Sequence, residues 1–121
     1  MNLTDIEFEK EFQELNNLYE MRNPKKIHEF IKENKGLIKL LNETKPHLIN
    51  KFPNGEFELQ AHDDISGEGY NKLYINIFVD DETFNNGFMD GIHEIHAKII
   101  PTEKELNLRM KLILMPGVRG Y

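Results

Sequence analysis

Residues 73–95 read LYINIFVDDETFNNGFMDGIHEI, and a change of period inside this stretch decides the fold. Leu73 to Val79 is apolar at every position except Asn76. An apolar run of this length, bounded by polar residues, is the pattern of a central strand with both faces occupied. From Phe84 onward the apolar residues Phe84, Phe88, Ile92, Ile95 and Ile99 fall at steps of four, four, three and four, which is a helical period. Asp80 and Asp81 stand at the change, where a carboxylate oxygen can accept from the free N–H groups of a helix start. Gly87 and Gly91 lie four apart on this helix. They predict close approach of a neighbour, at a cost of about 1 kcal/mol each relative to Ala. Pro101 predicts the end of the helix.

Downstream, Leu106, Leu108, Met110, Leu112 and Leu114 occupy every second position and predict a last strand, closed by Pro116-Gly117. Upstream, Phe57, Leu59 and Ala61 alternate with Glu58, Gln60 and His62, a strand with one wet face. Between the two upstream strands, residues 62–71 carry Asp63, Asp64, Gly67 and Gly69 and read as a loop. Pro53-Asn54-Gly55 is a turn, and everything before it has helical spacing. Thr4 and Glu7 form a capping-box pair, followed by Phe8, Phe12, Leu15 and Tyr19 on one face. Asn23-Pro24 supplies an N-cap and a first helical residue for a second helix with Ile27, Phe30 and Ile31, and Gly36 is its expected stop. A third helix carries Leu37, Ile38, Leu40, Leu41, Leu48 and Ile49. Pro46 is expected to kink or split it, because it cannot donate to the carbonyl of Asn42.

The expected fold is therefore α+β: about three N-terminal helices, then a β-β-α-β unit. The first two strands form a hairpin, and the last two are parallel and joined by a right-handed crossover. Together they make a small mixed sheet with helices packed on one face. The 121 residues fit a single domain, with a helical half over 1–52 and the β-β-α-β half over 53–121.

Composition narrows the chemistry. The chain has no cysteine, so disulfides, thiolate metal sites and cysteine nucleophiles are excluded. Its apolar runs are too short to span a bilayer, and the first residues lack the basic and apolar regions of a signal peptide, so the expected location is cytoplasmic. The net charge is −6 and unevenly spread. Residues 1–21 hold one lysine and six acids. Residues 22–51 hold eight Lys/Arg and three acids, and residues 52–121 six Lys/Arg and twelve acids. That balance argues against nucleic acid as a partner, since phosphate neutralisation needs a basic surface.

Three clusters carry residue types used in catalysis or metal binding. Asp90, His93, Glu94 and His96 lie on the helix after the central strand. Their two histidines stand three apart, whereas the zinc-protease motif needs them four apart on one face. At roughly 100° per residue from Ile92, His96 is expected at the boundary with a backbone or water partner, His93 on the surface and Asp90 on the far side. The loop with His62, Asp63, Asp64, Ser66 and Glu68 begins like a calcium loop, but the twelfth position is Ile75 instead of Glu. Asp63, Asp64 and Glu68 remain its candidate metal ligands. Asp80, Asp81 and Glu82 end the central strand, where α/β enzymes often place chemistry, and capping accounts for at least one of them. No cofactor is expected: Gly67-Glu68-Gly69 completes no phosphate-binding loop.

Residues 30–52, FIKENKGLIKLLNETKPHLINKF, resemble the opening of a group of small uncharacterised prokaryotic proteins: a leucine-rich helix leading into a strand. Residues 56–115 continue the likeness, with a strand, an acidic loop, an apolar strand, a helix opened by Asp80-Asp81 and a last strand. Members of that group look like neighbours or pieces of toxin–antitoxin and degenerate nucleotidyltransferase-like systems. The nucleotidyltransferase pattern places an acid-x-acid pair on a strand, and Tyr74-Ile75-Asn76-Ile77-Phe78 carries no carboxylate. The expected function is a small, acidic, non-enzymatic partner-binding protein, antitoxin- or immunity-like, covering a basic protein. One alternative is a metal-dependent hydrolase or degenerate nucleotidyltransferase-like enzyme using His62, Asp63, Asp64, His93 or His96. Another is a homodimeric structural protein whose first helix packs on its mate through Phe8 and Phe12.

Overall fold

The computed structural model describes residues 3–62 and 71–117. Nine elements follow in order: α1 (Leu3–Asn16), β1 (Glu20–Met21), α2 (Pro24–Glu33), α3 (Gly36–Lys51), β2 (Glu56–His62), β3 (Lys72–Phe78), α4 (Asp81–Asn85), α5 (Phe88–Glu105) and β4 (Leu112–Pro116). The four strands form one mixed sheet in the order β1-β2-β3-β4. β2 and β3 are antiparallel, with Glu56 opposite Phe78 and His62 opposite Lys72. β3 and β4 are parallel, with Leu73 opposite Leu112. The α+β class, the hairpin and the central apolar strand are all as the sequence predicts.

Alternation sorts the sheet into two faces. Phe57, Leu59 and Ala61 of β2, Leu73, Ile75 and Ile77 of β3, and Leu112 of β4 point into one hydrophobic core. The helices close that core with Phe8, Phe12, Leu15, Ile27, Ile31, Leu37, Leu41, Leu48, Ile92, Ile95 and Ile99. The alternate residues, Glu58, Gln60, Tyr74, Asn76, Ile113 and Met115, form the second face. Asn76, the lone polar residue of the apolar strand, is 8% exposed there. Its Nδ2 donates to Glu58 Oε1 (3.2 Å) and Gln60 Oε1 (3.0 Å). Arg22 completes the cluster by donating to Gln60 Oε1 at 3.3 Å.

Several boundaries differ from expectation, each for a local reason. β1 is too short to show a period, and its parallel pairing to β2 (Glu20 with Glu58, Met21 with Leu59) is set by tertiary contact. α1 ends at Asn16, so Tyr19 enters the core from the following turn, where its hydroxyl donates to Leu41 O at 2.8 Å. The Thr4 side chain, half of the expected capping box, lies outside those described. Asn23 stands at the N-cap position of α2 ahead of Pro24, as expected, but its side chain does not cap the helix. Its amide instead pairs twice with the backbone of Ala61, Nδ2 to O at 2.9 Å and N–H to Oδ1 at 3.0 Å, prolonging the β1–β2 ladder. α2 stops at Asn34, whose N–H turns back to Phe30 O and Ile31 O, and Gly36 opens α3 instead of closing α2.

Pro46 does not split α3, and Pro101 does not stop α5. Both prolines are exposed, as are Asn42 and Ala97 one turn earlier, so the carbonyls they leave without a helical donor can turn to water. Conversely, the helix expected from Phe84 to Ile99 is broken at Gly87, whose φ of +81° is left-handed. α4 therefore stands apart from α5, and Phe84 is 54% exposed instead of joining the buried stripe. The expected strand over 106–114 shrinks to β4, because Asn107 (φ 57°) and Met110 (φ 68°) take left-handed conformations that no strand contains. Residues 106–111 are a turn that folds Leu108 back into the core by an N–H bond to Glu103 O (2.8 Å).

Candidate partner-binding surface

The C-terminal end of β3 delivers the chain into a run of carboxylates. Asp80 is the N-cap of α4: its Oδ1 accepts from the Thr83 N–H at 2.8 Å. Hydrogen bonding from the Thr83 side chain, and then from its backbone N–H, holds the Asp80 carboxyl below its usual range. Asp81 and Glu82 follow in the first turn, exposed, where the helix dipole favours negative charge. The chain then turns at Asn86-Gly87 and starts α5 at Phe88. Rings connect this corner to the core: Phe84 lies 5.4 Å from Phe88, and Phe88 meets Phe52 edge-on at 5.1 Å. Phe88 and Phe52 are buried, while Phe84 presents most of its outer face to water.

The first two turns of α5 extend the same surface. Gly91 faces inward against Phe52 and Lys51, so the outward positions are Met89, Asp90, His93 and Glu94. Met89 is 45% exposed. Glu94 pairs with Lys51 of α3, and that hydrogen bond and charge, with Lys98 adding to them, hold its carboxyl below the usual range. Residues 80–94 thus carry five carboxylates and neither lysine nor arginine, around two exposed apolar side chains. The charge was legible in the sequence. The exposure of Phe84 was not, because its spacing from Phe88 fits the buried stripe and only the left-handed Gly87 takes it out.

The residues singled out for chemistry are dispersed. His93 is exposed on α5, and Asp90 is exposed as well, as their angles predict. His96 is half-buried, with Nε2 at 3.6 Å from Glu103 Oε1, a carboxylate in place of the expected backbone or water partner. Glu103 is 1% exposed, and its Oε1 has no hydrogen-bond partner. Burial pushes its carboxyl up, against the pull of His96 and Arg109. Helical spacing hid this residue, because position 103 continues the stripe of Ile95 and Ile99. His62 stacks on Tyr74 with ring centroids 5.5 Å apart, at the end of β2 opposite Lys72. The chain enters α4 from the other end of β3, about 20 Å away along a seven-residue strand. Asp63, Asp64, Ser66 and Glu68 lie outside the described residues. Among those described, no three His, Asp or Glu side chains are grouped to hold a metal ion. Likewise, no described helix is long and apolar enough to cross a membrane. Comparison with protein-family models, with curated proteins and with solved structures finds no match to this chain.

Proposed function

We propose that this protein binds a basic protein partner through the α4–α5 surface, in the manner of an antitoxin or immunity protein covering a cationic site. The observation that carries the reading is that exposed Phe84 and Met89 lie in a segment, residues 80–94, with no Lys or Arg and with five carboxylates, of which Glu94 is paired with Lys51 of α3. Exposed aromatic and methionine side chains are the anchors around which interfaces form, and they become energetically dominant once a partner seals them from water. The carboxylates raise the encounter rate with a basic surface and exclude acidic competitors. Asp80 and Glu94 serve this role while also closing a helix start and an α3–α5 ion pair, so their charge persists as pH falls.

The test is affinity capture from native lysate with the wild-type chain and with a variant carrying Asp81→Asn, Glu82→Gln, Phe84→Ser and Asp90→Asn. All four side chains are exposed, so the variant should keep the wild-type fold, as circular dichroism would show. The reading expects a captured protein of basic isoelectric point, released by moderate salt and absent from the variant's eluate. Capture that survives high salt, or that the variant retains in full, would assign the partner to another surface. Repeated recovery of no protein at all would remove the proposal.

A further inference from the structure

The α1–β1 turn and α3 border an open recess of about 490 Å³ lined by Leu18, Asn42, Lys45, Pro46, Ile49 and Asn50. We propose that this recess binds an aliphatic carboxylate, with its headgroup on Lys45 Nζ and its chain along Leu18, Pro46 and Ile49. The volume is in the range of small-ligand sites. The lining is apolar with two amides and one cation, and it contains no carboxylate. Leu18 and Ile49 are 37% and 49% exposed, so the apolar wall stands open to a ligand.

Lys45 is positioned before any ligand arrives. Its ammonium donates to Leu18 O, and it lies 4.9 Å from the centroid of the Tyr19 ring and 4.6 Å from that of Phe57. These three contacts fix a side chain that would otherwise lose rotamer freedom on binding. An ammonium has three N–H donors, and the backbone carbonyl takes one. The rings replace water on its flank, and burial lowers its pKa. A positive charge that has lost part of its hydration gains from an anion at hydrogen-bond distance. The acids Glu20 and Glu56 line an adjoining recess with Tyr19 and Phe57, and Leu18, Lys45 and Ile49 border both recesses. Their negative charge weakens the attraction of Lys45 for any anion and opposes a dianion twice as strongly, so the headgroup selected is a monoanion.

Wild-type protein titrated with octanoate, hexanoate and 1-octanol, followed by amide and side-chain NMR, tests this directly. Saturable shifts are expected at Leu18, Asn42, Lys45 and Ile49. Octanoate should bind about tenfold tighter than 1-octanol, the factor set by one charge-assisted hydrogen bond. Hexanoate should be weaker by about fourfold for each missing methylene. The Lys45 Nζ titration should move upward when octanoate is bound, because the anion favours the charged form. Lys45→Met should erase the preference for octanoate over octanol, and Ile49→Glu should weaken both. Equal binding of octanoate and octanol to the wild type would overturn the proposal, and so would shifts confined to other residues or no saturation below the ligand's aggregation concentration. None of these outcomes depends on the α4–α5 surface.

Discussion

Gly91→Ala sets a favourable backbone effect against an unfavourable contact, and the structure decides which prevails. In a helix interior, Ala is preferred to Gly by about 0.5–1 kcal/mol. A Cβ at position 91, however, would stand 3.0 Å from Phe52 Cζ, 3.2 Å from Lys51 Cγ and 3.3 Å from Lys51 Cδ. Carbon pairs prefer about 3.5–4.0 Å. The Lys51 stem is exposed and can swing away. Phe52 cannot move as easily, since it is 4% exposed and locked edge-on against Phe88. Overpacking of this kind costs about 1–3 kcal/mol. The net expectation is a loss of about 1 kcal/mol, read in urea unfolding as a lower midpoint at unchanged m-value, with Tm falling by roughly 3–5 °C. Relief should follow from making room: Phe52→Leu in the Gly91→Ala background should couple favourably by at least about 0.5 kcal/mol. Gly87→Ala is the control. Nothing lies within 4 Å of its Cβ, but φ is +81°, so it should lose about 1–2 kcal/mol from backbone strain alone and show no coupling to Phe52. A Gly91→Ala variant as stable as the wild type, or strictly additive with Phe52→Leu, would refute the claim that α3 and α5 meet through this glycine.

Three further outcomes follow from buried polar groups. Tyr19→Phe should cost about 1 kcal/mol in urea unfolding, because it removes the hydrogen bond to Leu41 O while that carbonyl keeps its place in the α3 ladder. Asn76→Ala should destabilise by about 1–2 kcal/mol, since Glu58 and Gln60 lose their shared donor on a face where Asn76 itself is almost covered. Glu103→Gln should stabilise by up to about 1 kcal/mol at neutral pH, because the buried carboxylate has an oxygen with no partner. The sign of its pH dependence is set by a folded-state pKa raised above the unfolded one. The contribution of the protonated group is full below the ordinary Glu range and is lost as pH rises through the raised value. The gap between variant and wild type in urea midpoints should therefore widen with rising pH, and a gap that is constant from acid to neutral pH would contradict the burial argument.

Periodicity was a sound guide wherever the residues in question were numerous. The stripes Phe8-Phe12-Leu15, Ile27-Phe30-Ile31 and Ile92-Ile95-Ile99 are all buried, and the alternations in β2 and β3 resolve into the two faces of the sheet. It misled where one residue's backbone conformation outweighed the pattern. Phe84 continues the α5 stripe in sequence, yet left-handed Gly87 takes it to the surface and makes it the aromatic element of the proposed interface. Leu106 to Leu114 keeps an apolar residue at every second position, but Asn107 and Met110 adopt positive φ and convert half of it to a turn. The exposed Pro46 and Pro101 show the reverse: a local rule predicted breaks that water on the open helix face made unnecessary. Lys45 and Tyr19 gave no motif at all, because their contacts join positions 22 to 27 residues apart.

The sequence by itself determined the class of fold, the single apolar core and the acidic character of residues 80–94, because burial and charge are summed over many residues and local in the chain. Tertiary structure alone decided that β1 pairs with β2, that Glu103 is sealed with an oxygen lacking a hydrogen-bond partner, and that Lys45 is held between two rings beside an open apolar recess. Those arrangements depend on single contacts between distant segments, and the energy of one such contact is too small to leave a periodic trace in the chain.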